Sequence, residues 1–206
     1  GWATHRAIRY QVPDDLEDPV VYGEPIFCDI IAQKLELNLL QTPDDWLAKL
    51  PYKYVSREVC FLQAQFVPHI MRDRRFVKPS DDKVFPAGIY ETGKDVPLRH
   101  VDKEAPCLIS EVVNFDTEVR CYVLDRSIIT AGTYLTADHI SDVSAQLAHE
   151  GAQKWLQYLL DDLSVELPSA IVIDVGFIEN KGWAVVEANP AYCSGIYMRG
   201  EGISCD

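Results

Sequence analysis

Ile171-Val-Ile-Asp-Val-Gly-Phe-Ile-Glu-Asn-Lys-Gly-Trp-Ala-Val-Val-Glu-Ala-Asn-Pro190 is the stretch on which the fold of this chain turns. Two apolar runs, Ile171 to Ile178 and Trp183 to Ala188, flank Asn180-Lys181-Gly182. β-Rich runs on either side of such turn residues predict a hairpin. With Asn180-Lys181 at the centre of the turn, Asp174 faces Glu187. With Lys181-Gly182 there, it faces Asn189. Side chains alternate along a strand, so Glu187 and Asn189 share a face and Asp174 joins them in either register. Ile171 to Phe177 reads as a strand buried on both faces, where carboxylates need a cation or hydrogen-bond donors. A hard divalent ion such as magnesium takes oxygen ligands and leaves room for phosphates. The plainer alternative is a hairpin with one solvated face that carries the acids.

At 206 residues the chain is one domain, or two small ones sharing a core. Its net charge of −13 argues against DNA or RNA, which call for a basic face, and is compatible with a cationic substrate. No apolar run is long enough to cross a bilayer, and no signal peptide is recognisable. Cys28, Cys60, Cys107, Cys121, Cys193 and Cys205 are scattered, without C-x-x-C or zinc-like spacing. They read as free thiols of a reducing, cytoplasmic protein, with Cys107 and Cys121 as small buried hydrophobes. Cys193, beside the Asn189 loop, is a candidate nucleophile with no histidine near it in sequence. The first residue, Gly1 rather than Met, suggests a processed or trimmed start.

Along the chain, residues Gly1 to Glu24 read as irregular, with a solvated acidic run at Asp14 to Asp18. Ile26, Phe27, Ile30, Ile31 and Leu35 recur at helical spacing and predict a helix over Pro25 to Leu37. Thr42-Pro43-Asp44-Asp45 reads as an N-cap opening a short helix that Pro51 stops. Ser56 to Phe66 reads as helical. From Arg75 to Tyr134 strands dominate: Phe76 to Pro79, Ala87 to Tyr90, Leu108 to Val113, Glu118 to Leu124 and Ser127 to Tyr134. They read as a β-meander with a charged stripe on one face. Ser141 to Asp162 is the longest helix, with Val143, Leu147, Gly151, Trp155 and Leu159 in one stripe widened by Leu156 and Leu160. Helices and strands mix without strict alternation, which predicts an α+β fold.

Two further groups carry chemistry. Lys78 ends an apolar strand, and Lys83 follows in the polar loop Ser80-Asp81-Asp82-Lys83. Lysines so placed bind phosphate oxygens, or are simply exposed at a strand end. Glu118 and Arg120 share a sheet face. They are either a cross-strand ion pair of little energetic weight, or a ribose acceptor and a guanidinium facing developing negative charge.

The order Phe76-Val-Lys-Pro79, Ile109-Ser-Glu-Val-Val113, Glu118-Val-Arg-Cys-Tyr-Val123, then Asp174 with Glu187-Ala-Asn189, resembles the ATP-grasp superfamily. More narrowly it is similar to a compact clade of predicted peptide or amino-acid ligases. The resemblance also covers Tyr22-Gly-Glu-Pro25, Pro43-Asp-Asp-Trp46 and Gly182 to Ala191, and so runs over most of the chain. It implies ATP clasped between two small α+β subdomains. Residues 1–70 would be an N-terminal pre-grasp segment and 71–206 the catalytic domain, with its nucleotide hinge near 111–114. Lys78 would contact the α- and β-phosphates. Glu111, Val112 and Val113 would read the adenine edge and Glu118 hold the ribose, while Asp174, Glu187 and Asn189 would hold magnesium. Arg120 would face the γ-phosphate or an acyl-phosphate intermediate. The loop after Lys78 lacks the family's glycines, so Lys83 would cover the phosphates by charge. The N-terminal subdomain is short, which suggests truncation, and the tail after Tyr197 matches nothing in the pattern.

The implied activity is an ATP-dependent carboxylate–amine ligase acting on small-molecule or peptide substrates. A phosphotransferase and a non-catalytic module that binds a nucleotide or a partner are the alternatives.

Overall fold

The computed structural model describes residues 4–6, 10–14, 16–80, 83–136 and 142–195, with side chains described except at 134–136 and 142–145. The expected hairpin forms from β7 (Ala170–Ile178) and β8 (Gly182–Pro190). Its tip follows neither two-residue register. Ile178 pairs with Gly182 across Glu179-Asn180-Lys181, and Asn180 (φ 63°) and Gly182 (φ 88°) take the left-handed backbone that Asn and Gly accept most readily. Further along, Val175 pairs with Val185 but Asp174 pairs with Glu187, so Val186 is an extra residue on β8. This β-bulge changes which way the following side chains point. Beyond it the register is the one that an Asn180-Lys181 centre implies, with Asp174 opposite Glu187.

Four strands form the sheet around this hairpin: β5 (Phe115–Leu124) and β6 (Ser127–Thr136) complete it in the order β6-β5-β7-β8, all antiparallel. β5 turns into β6 through Asp125 (φ 45°) and Arg126 (φ 62°), a two-residue turn whose twist suits antiparallel strands. A second four-stranded sheet contains β1 (Val59–Gln63), β2 (Arg75–Pro79), β3 (Gly88–Tyr90) and β4 (Pro106–Ser110), in the order β1-β4-β2-β3. The strands from Arg75 to Tyr134 therefore divide between two sheets rather than forming one meander.

The expected helix over Ser56 to Phe66 is also corrected. Val59 to Gln63 pair in full with Ser110 to Pro106, and only Ala64–Phe66 make a single 3-10 turn, which leads into the one-turn helix α4 (Val67–Ile70). Val59, Cys60, Phe61 and Leu62 suit a pleated surface, and pairing with β4 outweighs any helical spacing. The first helix of the chain, α1 (Pro25–Leu35), buries Cys28, Ile31 and Ala32, while Ile26 is 65% exposed. Pro43 begins a turn closed by the Trp46 N–H rather than a helix. The helix itself, α2, is Trp46–Lys49. Another one-turn helix, α3 (Tyr52–Val55), follows Pro51.

The long helix α5, Asp142–Asp161, covers one face of the hairpin sheet. Ala152, Leu156, Leu159 and Leu160 pack there against Val119, Cys121, Ile173, Val175 and Val185. Leu147, expected in the stripe, is 64% exposed. α1 docks on the 3-10 turn Ala191–Cys193 that follows β8, with the Gly23 N–H donating to the Tyr192 carbonyl. Among the described residues no helix is long and apolar enough to cross a membrane. Asp81, Asp82, Ser141 and the tail from Tyr197, on which several expectations fell, lie outside the described residues.

Candidate functional site

With one face of the hairpin sheet closed by α5, the other turns toward the β1–β4 sheet. Arg120 on β5 pairs directly with Asp174 on β7, which pairs with Glu187 on β8. The strand ladder alone therefore sets three charged side chains in a row. Arg120 Nε donates to Asp174 Oδ1 at 2.8 Å and Nη2 to Oδ2 at 2.6 Å, a forked pair in which Asp174 is fully buried. Asn189 Nδ2 reaches Glu187 Oε1 at 3.1 Å and Asp174 Oδ2 at 3.4 Å. From the opposite sheet, Lys78 Nζ donates to Glu187 Oε2 at 2.6 Å.

Lys78, Arg120, Asp174, Glu187 and Asn189 thus form one connected group between the two sheets. Arg120 forks onto Asp174, a partner to which its shared face with Glu118 gave no pointer. Two cations balance two anions, one fully buried and one half-buried, as removal from water requires.

Charge and burial compete at each acid. Burial pushes the Asp174 carboxyl above its ordinary value, against the hydrogen bonds from Arg120 that pull it down. For Glu187 burial also works upward, but the charge and hydrogen bond of Lys78, with help from Asn189, win and hold it below its ordinary value.

Two cavities meet at this group, sharing Lys78, Glu187, Leu47 and Leu108. The smaller, about 230 Å³, is walled by Phe76, Ile89, Phe115 and Val186 and edged by Glu111, Val112, Val113 and Glu118. The larger, about 410 Å³, is polar and reaches Lys83, Arg120, Asn189, Tyr192 and Ser194. Every residue that the resemblance selected, except Asp174 beneath the group, therefore borders one cavity or the other. Glu111 is held on both sides: its Oε1 accepts from Lys181 Nζ at 2.9 Å, and its N–H donates to the Glu58 carbonyl.

Arg57 also borders the smaller cavity, and it was not foreseen. The segment Ser56 to Phe66 reads as a helix surface, and a single arginine there carries no signal of burial. Cys193 is half-buried, and burial first, then Asp29 and Glu24, hold its thiol above the ordinary value, the wrong direction for a nucleophilic thiolate. Burial pushes Cys107 up to about 11 and Cys121 up to about 12, as inert core thiols.

The donor set suits a hard divalent cation: two carboxylates and an amide already within reach of one another. A half-turn of the Asn189 amide would present its oxygen in place of its nitrogen. Among the described residues no group of three or more His, Cys, Asp or Glu is placed to hold a metal, so the third ligand beside the two carboxylates would be this amide.

The family model of the ATP-grasp domain, clade family 2, matches residues 54–201. The chain belongs to this ATP-grasp family. Its α+β fold of two antiparallel sheets with helices is the ATP-grasp fold. No curated protein sequence matches it.

Among solved structures the ATP-grasp chain is similar to the ligase PsnB complexed with a minimal precursor, at 15% identity over 80% of this chain and 59% of that one, TM-score 0.44. It is also similar to a RimK domain ATP-grasp protein from Sphaerobacter thermophilus, at 16% identity over 72% of this chain and 55% of that one, TM-score 0.44. Cdc123 from Schizosaccharomyces pombe aligns at 11% identity over 74% of this chain and 87% of that one, TM-score 0.45. The chain spans about half the length of the first solved ATP-grasp ligases it matches.

Proposed function

We propose that the protein is an ATP-dependent carboxylate–amine ligase that forms an amide or peptide bond through an acyl phosphate. The observation that carries this reading is the convergence of Lys78, Arg120, Asp174, Glu187 and Asn189 where an apolar cavity opens onto a polar one.

The smaller cavity suits a flat base, held between Phe76, Ile89 and Phe115. The Glu111 N–H is already given to Glu58, so the base is read by the backbone of Val112 and Val113 beside the Glu111 carboxylate. Glu118 accepts from the ribose hydroxyls. Lys78 moves its contact from Glu187 to the phosphates as nucleotide enters, and Lys83 adds charge from the far side of the polar cavity. Asp174, Glu187 and Asn189 would hold magnesium, which when bound neutralises phosphate charge and orients the γ-phosphoryl group.

A substrate carboxylate oxygen attacks the γ-phosphorus, the bond to the β–γ bridging oxygen breaks, and ADP leaves. An amine then attacks the carbonyl carbon of the acyl phosphate, phosphate departs with its C–O bond, and the amine loses a proton. Arg120, which borders the polar cavity, is placed to stabilise the oxyanion of that step. Burial of the group between the sheets limits competing hydrolysis.

Incubation with ATP, magnesium and an ¹⁸O-labelled pool of carboxylates together with amines tests the reading. ADP and phosphate should appear, with label transferred to phosphate. Release of AMP and pyrophosphate would rule the mechanism out, and a stable phosphorylated product would select a phosphotransferase instead.

A further inference from the structure

The bulge at Val186 decides the face on which Glu187 lies. If the pairing of Val175 with Val185 ran on unbroken, Ile173 would oppose Glu187 and Asp174 would oppose Val186. Glu187 would then share the face of Ile173, which α5 covers with leucines. A carboxylate there would have neither Lys78 nor Asn189 beside it. The inserted residue is therefore a precondition for the charged group, and something must favour it over the regular ladder, since a bulge gives up pairing.

Arg57 is that something. α3 ends at Ser56, whose left-handed backbone (φ 48°) and N–H to the Tyr52 carbonyl turn the chain sharply. The next residue, Arg57, is 5% exposed and lies against β8. Its Nη1 donates to the carbonyls of Val185 at 2.7 Å and Val55 at 3.0 Å, and its Nη2 donates to Val186 at 3.0 Å. Its guanidinium carbon stands 5.2 Å from the centre of the Phe115 ring. Successive carbonyls of a regular strand point to opposite edges, so one planar fork does not ordinarily take two consecutive ones. It does so here because the extra residue turns one carbonyl toward the other.

We propose that Arg57 is a positioning residue whose fork on the Val185 and Val186 carbonyls selects the bulged register of β8 and thereby places Glu187 beside Asp174, Asn189 and Lys78. The inference rests on the ligase reading only for what Glu187 does once placed. Lysine cannot substitute: a single ammonium is a point donor without the fixed fork.

The test uses Arg57→Lys and Arg57→Gln in the full chain with two readouts. One is the carboxyl titration of Glu187 by ¹³C NMR without nucleotide; the other is calorimetric binding of Mn²⁺·ADP. In both variants the Glu187 titration should move up, because its contact with Lys78 is lost, and Mn²⁺·ADP affinity should fall roughly 10- to 100-fold, as for other residues that orient metal ligands. Amide shifts of the β1–β4 sheet should stay in place.

An unmoved Glu187 titration overturns the proposal. If affinity nevertheless falls, Arg57 acts on the nucleotide directly. Global unfolding of both variants also overturns it, making Arg57 a residue of overall stability. If the wild-type chain itself fails to bind Mn²⁺·ADP, the ligase reading fails, and the Glu187 titration alone decides the role of Arg57.

Discussion

Lys78 Nζ and Glu187 Oε2 stand 2.6 Å apart, and this ion pair ties β2 of one sheet to β8 of the other. Its side chains retain 23% and 30% exposure, so the pair is neither a free surface bridge nor a sealed one. The site lies between the sheets, and the pair is positioned to exchange its partner for a phosphate.

Replacing Lys78 should therefore touch binding and stability together. Lys78→Met removes a charge-assisted hydrogen bond and leaves Glu187 short of a donor, which costs about 1–3 kcal/mol. Urea unfolding measures that loss, and nucleotide binding should weaken at least tenfold. Unchanged stability with lost binding would mean that Glu187 finds another donor.

Asp174 is the buried half of the Arg120 clamp. Asp174→Ala takes away the bidentate acceptor and should destabilise by about 3–5 kcal/mol, whereas Asp174→Asn keeps one acceptor and should lose less. Turnover should vanish in both. If the alanine variant unfolds at the wild-type urea midpoint, the clamp is not a stabilising element.

Gly176 lets Phe115 approach the sheet. A Cβ at this position would stand 2.3 Å from Phe115 Cδ1 and 2.9 Å from Val186 Cγ2, two side chains that wall the smaller cavity. Gly176→Ala should cost about 1–3 kcal/mol by overpacking and reduce ADP affinity, while the chain still folds. Binding titrations on the folded variant check this, and wild-type affinity would show that Phe115 yields without closing the cavity.

Asp162 supplies a pH dependence remote from the site. It accepts from Ser164, from Tyr54 at 2.7 Å and from Lys53 at 3.0 Å, and these bonds, Ser164 first, hold its carboxyl well below the ordinary range. A carboxyl depressed in the folded state stabilises it above the ordinary carboxylate range, and that stabilisation is lost as pH falls through the native value. Urea midpoints of wild type and Asp162→Asn should differ near neutrality and converge in acid. A gap that stays constant with pH would show that Asp162 acts through packing.

Local patterns in this chain are easy to read where one pressure dominates. The hairpin around Asn180, the turn at Asp125-Arg126 and the leucines late in α5 each follow from periodicity and turn chemistry. Ser56 to Phe66 misleads because a short apolar run does not distinguish helix from strand; its partner, β4, lies far along the chain. Spacing puts Leu147 in the buried stripe, yet it is 64% exposed, and the α5 side chains packed on the sheet begin at Ala152. Periodicity gives the face of a helix but not the point along it where its partner begins.

By itself the sequence determined that Asp174, Glu187 and Asn189 could share a face, because alternation along a strand is local and obligatory. Which residue faces which was left open between two registers, and the tip follows neither of them. Only the tertiary structure decided that Asp174 meets Glu187, through a bulge at Val186 whose two carbonyls are gripped by Arg57 from far earlier in the chain. That grip depends on burial and on the packing of α3 against β8, and no spacing along the hairpin encodes it.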